Sequence, residues 1–221
     1  GHYAWSMSQM NDGARAVPTT EPGALESLGD LAATHANALR IAGVFVFVWL
    51  TWLGAHIAIP TPPFGIPVTL QTLAVLLAAL TLGPKYGSIS MLSYIVLGAI
   101  GLPLCAEGEA GLAVSMGLTA GFFFVFLLCQ PVIAAIARGR DGAARGWGAM
   151  ILACVAGHMV IFAVGVPWLY ISRATWIGDP ISLRDAVHYG MVIFLPGLVL
   201  KSGIAVLIGR WVAPWASRRI W

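Results

Sequence analysis

The sequence predicts an all-α integral membrane protein of six transmembrane helices, and three observations carry that prediction. Hydrophobic residues make up 59% of the 221 and charged residues only 10%, with a mean hydropathy of +0.86, whereas charge in a soluble domain is roughly a quarter. From Ile41 onward the chain is a series of apolar runs, broken by Gly, Pro and charges, most of them near the roughly 20 residues that a helix needs to span hydrocarbon. The basic residues gather at the ends of these runs and favour one side of the membrane.

Residues 1–36 read as a polar, flexible N-terminal tail that closes in a short amphipathic lead-in within LESLGDLAATHANALR, and no basic-then-apolar signal segment is expected at the start. The membrane domain is expected over 37–213, with spans near 39–59, 67–83, 86–103, 118–137, 147–171 and 186–212, followed by a short basic tail at 214–221. The second and third spans are short, so one of them reads as broken or re-entrant.

An even number of spans puts both termini on one side. Arg40, Lys85, Arg138, Arg140, Arg145, Arg210, Arg218 and Arg219 share the face of the N-terminus. Arg173 and Arg184 fall on the other face, balanced by Glu107, Glu109, Asp179 and Asp185. The positive-inside rule therefore predicts cytoplasmic termini in a multi-pass inner-membrane protein. On the opposite face the loops IPTPPFGIP (59–67), GLPLCAEGEAGLAVSMGL (101–118) and SRATWIGDPISLRD (172–185) are long and rich in Gly and Pro, as a lid over a pocket would be.

Several function classes are excluded. The pI of 9.0 comes from scattered charges with no basic stripe, so nucleic acid is not an expected partner. There is no HExxH, no Walker A, no GxSxG with a histidine partner and no carboxylate inside any span; DGAAR at 141–145 is one residue short of the DGxxAR phosphotransferase motif. An enzyme is therefore not expected, nor a metal or other cofactor. Cys105, Cys129 and Cys154 show no metal spacing and read as packing residues. His56, His158 and His188, far apart in sequence, read more readily as packing or interfacial residues than as ligand contacts.

What remains is Lys201, inside the apolar stretch FLPGLVLKSGIAVLIGRW. A lysine deep in a bilayer costs roughly 2.5 to 3.5 kcal/mol on insertion scales, so something must offset it. Arg210 already marks the inner boundary of this span, which argues against simple snorkelling. Thr69, Gln71 and Thr72 in the second span, Ser88, Ser90 and Ser93 in the third and Thr119 opening the fourth are the polar residues available to meet it. A buried lysine with such neighbours beneath a loop lid is a pocket for an uncharged or anionic small molecule.

The segments IPVTLQTLAVLLAALTLGPKYG (66–87), YIVLGAIGLPL (94–104), GLTAGFFFVF (117–126), AVGVPWL (163–169) and FLPGLVLK (194–201), in this order, resemble the BioY family, the biotin-specific S component of energy-coupling factor (ECF) vitamin transporters. The resemblance implies a six-helix bundle that binds biotin from outside, docks on an ECF transmembrane subunit and an ATPase pair, and releases the vitamin inward. It implies ligand contacts from Lys201, in the family's PGDxxK, and from Thr119 and Gly121, in GxTxGY. Phe122 replaces that motif's tyrosine, Thr69 and Gln71 lie in the TLQ segment, and Trp168 in AVGVPWL completes the set.

The chain departs from the family pattern at four places. Leu198 stands where the family has the aspartate of PGD, EGEAG with Glu107 and Glu109 replaces a glycine-rich lid, Phe122 replaces tyrosine, and AGVFVFV (42–48) keeps little of the small-residue pattern of helix 1. Leu198 opens an alternative: a diverged relative that binds another small amphiphile, or a solitary facilitator.

Overall fold

The computed structural model describes residues 22–62, 66–104, 111 and 117–220. Glu107, Glu109, Cys105 and most of the N-terminal tail lie outside them. The chain divides into two units, 1–36 and 37–221. In the first, the described residues 22–36 are helical, with the Thr34 hydroxyl bonded back to the Asp30 carbonyl at 2.8 Å.

The elements are α1 (Pro22–His56), β1 (Ala58–Ile59), β2 (Val68–Thr69), α2 (Gln71–Ala99), α3 (Ala120–Ala137), α4 (Trp147–Ser172), α5 (Leu183–Gly190) and α6 (Leu195–Arg219). Five stretches among the described residues are long and apolar enough to cross a membrane: Ala33–His56, Gln71–Ala99, Ala120–Ala137, Trp147–Ile177 and Leu183–Arg219. The sequence leads to an expectation of six, and the difference lies in α2, which carries the second and third predicted spans as two arms. Gly83 leaves helical geometry (φ 75°, ψ −171°), a left-handed conformation that glycine adopts without strain, and Pro84 follows it. Gln71 Nε2 then reaches the Tyr94 hydroxyl at 2.8 Å. A straight helix would hold these residues about 35 Å apart, so the arms lie side by side.

Arg138 is what closes this bend. Proline has no N–H for the carbonyl four residues back, which strands Leu80. Arg138, only 4% exposed, donates from Nη2 to the carbonyls of Leu80 at 2.6 Å and Thr81 at 3.1 Å. A cation there also complements the negative end of the first arm's dipole. From the sequence, Arg138 is only a surface topology charge; the fold buries it as a cap.

The all-α expectation is modified by a two-stranded antiparallel ladder pairing Ala58 with Thr69 and Ile59 with Val68. Ile59 and Ile66 each precede a proline, which disfavours helix and pushes them towards extended backbone. Leu70 N bonds the carbonyls of Gly54 at 3.0 Å and Ile57 at 3.2 Å, fixing the entry to α2 against the end of α1. Gly54 permits this approach, since a Cβ there would lie 2.8 Å from the Gln71 nitrogen.

Helix α3 packs along α4 and α2, and α6 packs on α2 and α4. The core between them holds Leu76, Leu80, Met91, Tyr94, Ile133, Met150 and Leu169, with the free thiols of Cys129 and Cys154. Phe45, Trp49, Leu53, Leu128, Leu152, Val199, Leu200, Leu207 and Trp211 are exposed, as lipid-facing side chains of a membrane bundle are. Beyond α4, a π-helical turn (Arg173–Ile177) ends at Gly178, and the buried Arg173 pairs with Asp179. Ser182 then caps α5 by accepting from Asp185 N at 3.1 Å.

Candidate ligand-binding site

Lys201 is 4% exposed and sits in the second turn of α6, whose first turn carries Pro196. Its Nζ donates to the Thr69 carbonyl at 3.1 Å. That carbonyl belongs to β2, so the short ladder delivers a backbone acceptor to the lysine. The ammonium has three N–H donors, and the described residues supply a partner for one.

A cavity opens around this contact. Ile66 and Pro67 line it from the approach to β2, Thr69 from β2, Gln71 and Thr72 from the start of α2, Thr119 from the residue before α3, Phe122, Phe123 and Phe126 from α3, and His158, Ile161 and Phe162 from α4. Phe194 and Lys201 complete the wall. Phe194 stacks with Phe122 (centroids 6.3 Å, interplanar angle 28°) and lies 6.4 Å from Phe162. Eight of the fourteen lining residues are apolar, five of them phenylalanines, and six are polar, a mixture suited to a small molecule with both an apolar body and polar groups.

The sequence-predicted residues divide into two groups. Lys201, Thr69, Gln71, Thr119 and Phe122 all line the cavity. The Gln71 amide is already engaged: Oε1 accepts from the Thr69 hydroxyl at 2.9 Å, Nε2 donates to Tyr94, and the Tyr94 hydroxyl donates to the Leu104 carbonyl. Gln71 therefore braces Thr69, and through it the lysine's acceptor. Gly121 and Trp168 meet each other behind the wall, where a Cβ on Gly121 would lie 2.3 Å from Trp168 Cβ. Trp168 Nε1 donates to the Gly117 carbonyl at 2.9 Å, and neither residue is among those lining the cavity. Leu198 is buried in the apolar core and does not line the cavity either.

Sequence reasoning left several lining residues out of the candidate set. Thr72 was visible as an intramembrane polar residue, and its Oγ1 has no hydrogen-bond partner among the described residues. His158, read more readily from the sequence as packing than as a ligand contact, lines the cavity, and its Nε2 has no partner among the described residues. Phe123, Phe126, Phe162 and Phe194 carry no such signal, because an aromatic residue in an apolar helix does not announce which face it occupies.

The fold is that of a membrane S-component. It superposes on the crystal structure of the S-component for biotin from an ECF-type ABC transporter with a TM-score of 0.70, over 79% of this chain and 90% of that one, at 24% identity. The chain belongs to the BioY family, whose family model matches residues 29–218. It is 36% identical over 163 residues to the biotin transporter BioY of Thermotoga maritima, covering 74% of this chain and 89% of that protein. Against the BioY of Rhodobacter capsulatus it is 36% identical over 178 residues, 79% of this chain and 92% of that protein. The probable biotin transporter BioY of Pyrococcus horikoshii is 33% identical over 174 residues, 79% and 96% of the two chains. These relatives are transporters, and the chain is a multi-pass membrane protein of their kind rather than an enzyme.

Proposed function

We propose that the protein is the substrate-binding membrane subunit for biotin uptake, taking biotin from the outer face into the Lys201 cavity. Release is inward, energised by a separate ECF transmembrane subunit and ATPase pair. The observation that carries the reading is the buried Lys201 ammonium with donors to spare at the edge of an aromatic cavity. Biotin combines an apolar ring and chain with a ureido carbonyl and a carboxylate, and so offers both an apolar body and an acceptor for a buried cation. The names of the BioY relatives support the same ligand.

Counting the two arms of α2 separately gives six crossings and both termini on one side, which in this reading is the cytoplasmic side of an inner membrane. The inner-face arginines support this orientation. Within the site, Lys201, Thr69, Thr119 and Phe122 contact the ligand, Gln71 braces Thr69, and Gly121 with Trp168 sets the spacing of the wall.

The test is calorimetric titration of the purified protein in detergent with biotin, with mass spectrometry of any copurifying small molecule. Binding well below micromolar is expected; no heat and no thermal shift would reject biotin. Leu198 favours a second reading, a different small amphiphile or a solitary facilitator, because it leaves the span without a carboxylate beside Lys201. If Leu198→Asp brings no gain in biotin affinity while another ligand copurifies, that reading prevails.

A further inference from the structure

His158 lies on α4, is 2% exposed and is one of the residues that line the cavity. Its Nδ1 is 2.9 Å from the Cys154 carbonyl, one turn back on the same helix. A carbonyl only accepts, so Nδ1 carries the hydrogen. The neighbouring Ser202 hydroxyl lies 3.5 Å from that same nitrogen and leaves the other free. In the neutral ring Nε2 is then an acceptor, on the edge turned away from the helix that holds Nδ1. It has no partner among the described residues. An orphaned buried acceptor is costly, so its presence on a cavity wall points to a donor that arrives with the ligand.

We infer that His158 Nε2 accepts one ureido N–H of biotin. The inference rests on the biotin reading given above. A cyclic urea presents a carbonyl directly beside an N–H, so it needs a donor and an acceptor side by side. Lys201 is the donor with N–H groups to spare, and Ser202, the next residue along α6, lies against His158. No carboxylate is among the described residues of the wall, so an imidazole takes its place. Because a lone pair on Nε2 rejects a ligand that lacks the N–H, this residue sets specificity as well as affinity.

The test titrates the full chain in detergent with biotin and with the two biotin isomers methylated on one ureido nitrogen. The unaltered protein, His158→Leu and His158→Gln are compared. The unaltered protein should bind at least one methylated isomer roughly 5- to 150-fold more weakly than biotin. His158→Leu should lose a similar factor towards biotin and cease to discriminate against that isomer. His158→Gln, whose amide oxygen accepts, should stay within about tenfold of the unaltered protein.

The inference is overturned if His158→Leu binds biotin as tightly as the unaltered protein, or discriminates the isomers just as well. Should His158→Leu fail to fold, the other arms decide: unaltered protein that binds both isomers as tightly as biotin overturns it, and so does His158→Gln that no longer discriminates them. Unaltered protein that binds no biotin at all removes the biotin reading and this inference together, whereas biotin binding with no discrimination removes this inference alone.

Discussion

Arg138, just past the end of α3, and Leu80, in α2 and 58 residues away, are joined by a 2.6 Å hydrogen bond from guanidinium to main-chain carbonyl. The bond stands where Pro84 cannot supply the amide that a continuous helix would give. Arg138→Met should therefore destabilise the fold by about 1 to 3 kcal/mol, because it removes the donor to the Leu80 carbonyl that Pro84 cannot serve. Arg138→Lys should not fully rescue, since an ammonium lacks the planar fork that reaches Leu80 and Thr81 together. Thermal unfolding in detergent measures this, and an unchanged midpoint for Arg138→Met would contradict the capping role. Biotin affinity of the folded fraction should be unaffected, as Arg138 is not among the residues that line the cavity.

Lys201→Ala should weaken biotin binding roughly 10- to 150-fold, the value of a hydrogen bond to a charged group in a dry site. Stability should not fall with it, because the substitution removes a buried ammonium along with its bond. Calorimetry and thermal unfolding on the same preparation separate the two effects. Wild-type affinity in this variant would show that the ligand does not meet the lysine.

Gly165→Ala is expected to act on the cavity through Phe122. A Cβ at Gly165 would lie 2.3 Å from ring atoms of Phe122, so the ring must turn away from α4. Overpacking of this kind costs about 1 to 3 kcal/mol. The reading is specific: Gly165→Ala should lower biotin affinity, and Phe122→Leu in the same chain should restore part of it. Equal affinity losses for Gly165→Ala with and without Phe122→Leu would refute the coupling.

Gln71→Leu should weaken ligand binding without Gln71 itself touching the ligand. It removes the amide that accepts from Thr69 Oγ1 and donates to Tyr94, and so loosens the strand whose carbonyl faces Lys201. A loss of about 1 to 3 kcal/mol in stability is expected from the broken buried network. Gln71→Glu, which keeps the acceptor, should lose less affinity than Gln71→Leu; the opposite order would argue against bracing.

Much of this was legible in the sequence, for reasons that can be named. Lys201 stood out because a charge in hydrocarbon demands an explanation, and LGPKYG marked the bend of α2 because glycine followed by proline cannot continue a helix. Thr69, Gln71 and Thr119 were visible as polar residues in apolar surroundings, and Phe122 through its motif. The extended pair at 58–59 and 68–69 was hidden, because two-residue strands have no periodicity to read. His158 was hidden for a different reason: its ring bonds its own helix, so nothing in the chain says which edge remains open. Arg138 is legible only as a charge at a span end, since local sequence does not show the distant carbonyls it satisfies.

The contact between Lys201 and the Thr69 carbonyl has one more consequence. The bond clasps α6 to the strand that leads into α2, a side chain of one held by the main chain of the other. Under the reading proposed above the lysine keeps this clasp while its two remaining donors turn to the ligand, so binding adds to the mooring of β2 and exchanges none of it.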